Sequence, residues 1–140
     1  MAESKSRTRI STGTIYERTV GYSRAVKVGD QVFVSGTTSA VASGEIIGDG
    51  DPYRQTVQIL QTISNALHEA GATLADVVRY RVYLTRIEDT PEVGRALSEV
   101  FADIRPANTL LSVLALADPR MLVEIDADAI IGSALEEESR

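Results

Sequence analysis

The chain has 140 residues, a net charge of -6 and a pI near 4.8, with 44% hydrophobic and 24% charged residues. That is the size and balance of one water-soluble domain with its own core, and it argues against a wholly disordered or membrane-spanning chain. An acidic balance with no Trp and two Phe gives no broad footprint for nucleic acid, and the absence of Cys removes disulfides, thiolate metal sites and thiol nucleophiles.

In chain order, residues 1–7 read as a frayed polar lead. MAESKSRTR has no apolar run behind its charges, so it is no secretory signal, and cytoplasm is the expected compartment. From Arg9 to Arg18, β-prone pieces around Ser11, Thr12 and Gly13 suit a small hairpin or an edge strand. Gly29 and Asp30 then separate AVKV from QVFVSG, a two-residue link of the kind that closes a hairpin between Arg24–Val28 and Gln31–Gly36. TTSAVASGEIIGDGD is rich in Ser, Thr and Gly and reads as a loop with little structure of its own, a candidate to border a site.

Asp51 and Pro52 pair a capping side chain with a residue that needs no amide partner, which starts a helix of about 20 residues. Leu60, Ile63, Leu67 and Ala70 recur at helical spacing, and Gly71 is placed to end it. Val78–Thr85 alternates, with Tyr80, Val82 and Leu84 on one face and Arg79, Arg81 and Tyr83 on the other. Thr90 and Pro91 repeat the capping device before the apolar stripe Val93, Ala96, Leu97, Val100 and Phe101. That second helix must end before Pro106. Thr109–Leu116 reads as a continuous apolar strand, and Leu122–Ile130 as a strand alternating Val123, Ile125, Ala127 and Ala129 with Glu124, Asp126 and Asp128. The acidic tail closes a single domain over 1–140, with 1–7 and 133–140 expected to be flexible. The order describes an α+β fold with two helices on one face of a sheet.

Three features could carry chemistry. The row Glu124, Asp126, Asp128 could supply a general acid or base, or else a charge ladder against Arg79 and Arg81 on a neighbouring strand; for Asp126 and Asp128 the ladder is the better account. His68, the single histidine, lies among helix-packing positions with no nucleophile motif near it. Ser35 and Gly36 end a strand either at a bulge or at a close backbone approach, and Tyr22 and Arg24 stand just before the hairpin, where they either line a cleft or cover the surface. No GxSxG, Walker or GxGxxG pattern is present, so no cofactor and no metal are expected.

The ordered segments GYSRAV, VGDQVFVSG, the block DPYRQTVQILQTISNALHEAGATLADVVRYRVYLT, RPANT and VEIDADAII together resemble the Rid family of reactive-intermediate deaminases, also known as YjgF or L-PSP endoribonuclease proteins. The likeness runs from about Tyr16 to Ile131. It implies a chorismate-mutase-like α+β fold, a mixed or antiparallel sheet with two helices on one face, and a homotrimer with clefts between subunits. Active members hydrolyse enamines and imines, such as 2-iminobutanoate, to 2-oxoacids and ammonia without a cofactor. The resemblance assigns Tyr22, Ser35 and Gly36 to the cleft, and Glu124 to the acidic residue that orients water. It also exposes departures: Asn108 stands where active members have an Arg that forks onto the substrate carboxylate, Gly94 where some carry Asn, and Leu110 where some carry Cys.

Asn108 can exchange hydrogen bonds but cannot neutralise a carboxylate. The expectation is therefore a cytoplasmic homotrimer that binds a small metabolite at Tyr22, Arg24, Ser35, Gly36, Gly94 and Asn108, with Glu124 catalytic where chemistry occurs. It would lack the usual 2-iminoacid deaminase activity. The alternative is a working enamine or imine deaminase in which Arg24 or Arg105 replaces the missing cation. No nucleic acid or membrane partner is expected, and the acidic balance argues against a ribonuclease.

Overall fold

The computed structural model describes residues 6–134, so the outermost parts of the two ends expected to be flexible lie outside the described residues. Six strands and two helices follow in the order β1 (Arg7–Ile10), β2 (Ala25–Val28), β3 (Gln31–Thr37), α1 (Pro52–Glu69), β4 (Val77–Leu84), α2 (Thr90–Phe101), β5 (Ala107–Ser112) and β6 (Val123–Ile130). They form one mixed sheet in the order β1-β2-β3-β6-β4-β5. β6 pairs antiparallel with both β3 and β4, and β5 is parallel to β4. Each helix is thus a crossover between parallel strands, α1 from β3 to β4 across β6 and α2 from β4 to its neighbour β5, which brings both helices over one face.

The local devices act much as the sequence implies. Asp51 accepts from the Arg54 amide at 3.0 Å to cap α1, and Gly71 closes the helix with φ 90°. The hairpin turn uses Gly29 at φ 63°. Ile59, Ile63 and Leu67 of α1, with Val93, Leu97 and Phe101 of α2, bury against Val32, Tyr80, Val82, Leu84, Val123 and Ile125 of the sheet. At about 2–5 kcal/mol for truncating any one such aliphatic side chain, this layer holds the site's framework. No helix among the described residues is long and apolar enough to cross a membrane.

Three expectations need correction. Of the two readings of Arg9–Arg18 the edge strand holds in part and the hairpin does not: β1 begins at Arg7, pairs with β2 at the sheet's edge and ends at Ile10, and a π-helical turn occupies Glu17–Gly21. Thr90 does not cap α2; its hydroxyl donates back to the Ile87 carbonyl at 2.6 Å, so it serves the short turn before the helix. Thr109–Leu116 is not a buried strand. β5 stops at Ser112 and is the sheet's edge, with Leu111 41% exposed and only Leu110 leaning on the core. An apolar run records what must be covered, and nothing among the described residues pairs with that edge.

Candidate functional site

The sheet's regularity breaks in β3. Val34 faces Ala127 and Thr37 faces Ile125, so one extra residue is accommodated at Ser35–Gly36. Such a bulge re-aims side chains locally. Here it presses the Gly36 backbone against Glu124 of β6, and a Cβ built on Gly36 would collide with the Glu124 carboxylate. The two readings of Ser35–Gly36 therefore meet: the pair forms a bulge, and the bulge makes the close approach. The Ser35 hydroxyl faces away from this contact and donates to the Ser23 carbonyl at 2.6 Å, tying β3 to the approach of β2.

Arg24 sits beneath the bulge. Its guanidinium is 7% exposed; Nη1 donates to the Gly36 carbonyl at 2.7 Å and to the Thr37 hydroxyl at 2.8 Å, and the group lies 5.6 Å from the centre of the Tyr22 ring. On its other side Nε is 3.8 Å from the carboxylate of Glu17, which is itself 6% exposed. Glu17 is caged: the Ser11 hydroxyl donates to it at 2.7 Å, the Thr12 hydroxyl and amide also donate, and Thr14 adds a contact at 3.2 Å. Burial alone would raise its pKa, but these donors outweigh burial and hold it below the ordinary carboxylate value. The fold thus keeps a charged pair away from bulk water, and its Arg24 member lines a depression.

That depression is a cleft of about 440 Å³. Its sheet end is formed by Tyr22, Arg24, Gly36, Thr37 and Glu124; its side wall is the polar row Gln58, Thr62 and Asn65 of α1, and Tyr16, Val20 and Met121 border the mouth. Glu124 is half-buried and receives no hydrogen bond among the described residues. Burial raises its pKa; the Arg24 charge opposes this, and the neighbouring Asp126 reinforces it. A carboxyl with a raised pKa, facing a cavity beside a fixed cation, is suited to giving or taking a proton.

Asp126 and Asp128 take the other role. Arg81 pairs with Asp126 and reaches Asp128 at 3.4 Å, while the Tyr83 hydroxyl donates to Asp126 at 2.8 Å. This is a cross-strand ladder outside the cleft; Arg79 is not a member of it. His68 is exposed on α1 and does not line the cleft.

Asn108 and Gly94 lie elsewhere. Asn108 is exposed on β5, paired in register with Tyr80, whereas Glu124 is paired with Tyr83. Two strand spacings and three residues along the strand separate Asn108 from Glu124, on the order of 14 Å. They also belong to opposite faces, since Tyr80 turns to the core and Tyr83 away from it. Gly94 is half-buried in α2 and lines no part of the cleft. Arg105 is exposed after α2 with φ 54°, its amide donating to the Phe101 carbonyl at 2.8 Å, so it ends a helix.

A family model described as Endoribonuclease L-PSP matches residues 14–131. The chain belongs to this YjgF/Rid family. An uncharacterized protein of Streptomyces coelicolor is 40% identical over 89% of this chain and 92% of its own length. The 3-aminoacrylate deaminase RutC of Acinetobacter baylyi is 33% identical over 74% of this chain and 82% of its own. Among solved structures, a YjgF-family protein from Mycobacterium tuberculosis is 48% identical and superposes with a TM-score of 0.83, covering 90% of this chain and all of its own.

Sequence reasoning missed Glu17, Thr37 and the α1 wall. The signal for Glu17 was an acidic residue set among the hydroxyl residues Ser11, Thr12 and Thr14, a pattern that a solvated loop shares. Gln58, Thr62 and Asn65 had none beyond their spacing of four and three residues, which a solvated helix face shares.

Proposed function

We propose that this Rid-family protein is a cytoplasmic, cofactor-independent homotrimer that binds a small metabolite in clefts between its subunits, and that it lacks the usual 2-iminoacid deaminase activity. One observation carries the reading: position 108, where active members place the carboxylate-binding Arg, holds an uncharged Asn. A carboxylate drawn from water to that position would go unneutralised, at a cost that disfavours anionic ligands.

The separation of Asn108 from Glu124 within one chain supports the subunit-interface part of the proposal. A second copy, docking its β5 edge at the cleft mouth, brings Asn108 toward the Tyr22–Gly36–Glu124 end. The helix-free face of the sheet, with Phe33 45% exposed, and the bare edge of β5 are the surfaces such an assembly would cover. Within the cleft, Glu124 orients a water or donates a proton to the nitrogen-bearing end of the ligand.

A second reading is favoured by Arg24. Its Nη1 and Nε are engaged, but Nη2 is left for a ligand among the described residues. In this reading Arg24 holds an anionic substrate, and the protein hydrolyses enamines or imines to a carbonyl product and ammonia, the chemistry carried in the name of the RutC relative.

The test is hydrolysis of 2-iminobutanoate, generated in place, by wild type and Asn108→Arg, with the mass of each measured by light scattering. The expected result is a three-chain mass for both, negligible wild-type activity and a gain of at least about tenfold in the variant, since a charged hydrogen bond is worth about 1.5–3 kcal/mol. Strong wild-type activity abolished by Arg24→Ala would replace the first reading with the second.

A further inference from the structure

The cleft is larger and more varied than a four-carbon imine requires. Its volume of about 440 Å³ lies within the range of sites for drug-sized molecules, about 300–1,000 Å³. Both of its charged linings, Arg24 and Glu124, stand at the sheet end. The α1 wall is uncharged throughout: Gln58, Thr62 and Asn65 recur at i, i+4 and i+7, and Thr38 lines the same cavity from the loop after β3.

These side chains are only partly engaged. Gln58 Nε2 donates to Thr62 Oγ1 at 3.3 Å, Gln61 Nε2 donates to Asn65 Oδ1 at 2.9 Å, and the Ala40 amide donates to Thr38 Oγ1 at 3.3 Å. Among the described residues that leaves the Gln58 carbonyl oxygen, the Asn65 amide hydrogens and the hydroxyl hydrogens of Thr62 and Thr38 for a ligand or water. Turning either amide over exchanges donor for acceptor and leaves the wall mixed.

A wall of this kind discriminates by chemistry. A second charged group on the ligand would lose its hydration without meeting a counterion. A purely apolar arm would displace water from the half-buried Gln58 and Thr62 and leave their polar atoms unpaired. A neutral group with both donors and acceptors meets neither penalty, and Tyr16, Val20 and Met121 can cover the alkyl stem that carries it.

We infer that the α1 row Gln58–Thr62–Asn65 is a specificity subsite, and that the ligand of this cleft carries, beyond its reactive end, a short alkyl stem ending in an uncharged amide, ureido or hydroxyl group. The inference rests on the proposed metabolite-binding role of the cleft, common to both readings above, and adds the chemical class of the distal arm.

Two neutral ketones test it, because they mimic the carbonyl product and differ only in the arm: 5-oxohexanamide and its apolar isostere 6-methylheptan-2-one. Both are titrated by NMR into the full-length protein, into a Gln58→Leu/Thr62→Val double variant and into Glu124→Gln. The amide should bind wild type at least about tenfold more tightly, as sites built to hydrogen-bond reject analogues lacking the group. The double variant should lose that preference while still binding the isostere, which also reports an intact fold. Equal affinity of the two ketones for wild type, or a preference unchanged in the double variant, overturns the subsite and leaves the cleft's role standing. Failure of both ketones to perturb Tyr22, Gly36 or Glu124 in wild type overturns that role, and the subsite with it. Loss of both ligands in Glu124→Gln with the preference intact in wild type supports the two-ended arrangement.

Discussion

At the end of the sheet where β1, β2, β3 and β6 meet, two charged side chains are buried and held by several others: Glu17 by three hydroxyl residues, Arg24 by Glu17, Gly36 and Thr37. At the other end, β5 has one neighbour and its residues are mostly exposed, Asn108 among them, as is Arg105 just before the strand. The first arrangement is complete within one chain. The second is an edge that leaves the apolar Leu111 exposed. Buried charges are tolerated only where their partners are present, and Arg24 and Glu17 find theirs within one chain.

Removing the anchor of the buried half should produce the largest effect. Glu17→Ala leaves the Arg24 guanidinium buried without its counterion, and unfolding in urea should register a loss of about 3–5 kcal/mol. Arg105→Ala, at the exposed end, should stay within about 0.5 kcal/mol of wild type. Equal losses for the two would erase the distinction between the ends.

Gly36→Ala probes the contact on which the cleft depends. The added methyl meets the Glu124 carboxylate, and either the bulge or β6 must shift. A loss of about 1–3 kcal/mol is expected, the range for overpacking, together with loss of ketone binding. A variant that binds normally would mean that the bulge can relax without moving Glu124.

How much of this was legible follows the same division. The helices, the Gly29–Asp30 turn and the alternation of β6 were readable because each depends on local chemistry: a capping Asp51, a permissive glycine, a period of two. Tyr22, Ser35, Gly36 and Glu124 were identified through a family resemblance and Arg24 through its place before the hairpin; the fold brings all but Ser35 to one cleft. The run Thr109–Leu116 misled because hydropathy reports the need for burial without saying which chain provides it. The π-helical turn was hidden for a different reason. Glu17 is buried by bonds to Ser11, Thr12 and Thr14, and a charged residue among hydroxyls reads from sequence as solvated loop. The α1 wall escaped because its polar spacing matches any exposed helix face, and only the cavity beside it distinguishes the two.

The smallest expected effect is also the one that separates the two buried carboxyls of the same end. Glu124 has a raised pKa in the folded chain, chiefly through burial. Its contribution is most favourable below the unfolded carboxylate pKa and is lost as pH rises through the folded value, because the native state must then hold a charge it solvates poorly. Glu17 has the opposite sign: its pKa is lowered by the donors around it, so its contribution is present above the unfolded carboxylate pKa and disappears as pH falls through the folded value. Stability measured against pH for Glu124→Gln should therefore exceed wild type at neutral pH, by less than either change above, with the gap closing in acid. Glu17→Gln should fall below wild type at neutral pH and approach it in acid. Parallel curves for the two variants would mean that Glu124 is as well satisfied as Glu17, and a carboxyl that is fully satisfied has no proton to offer a ligand.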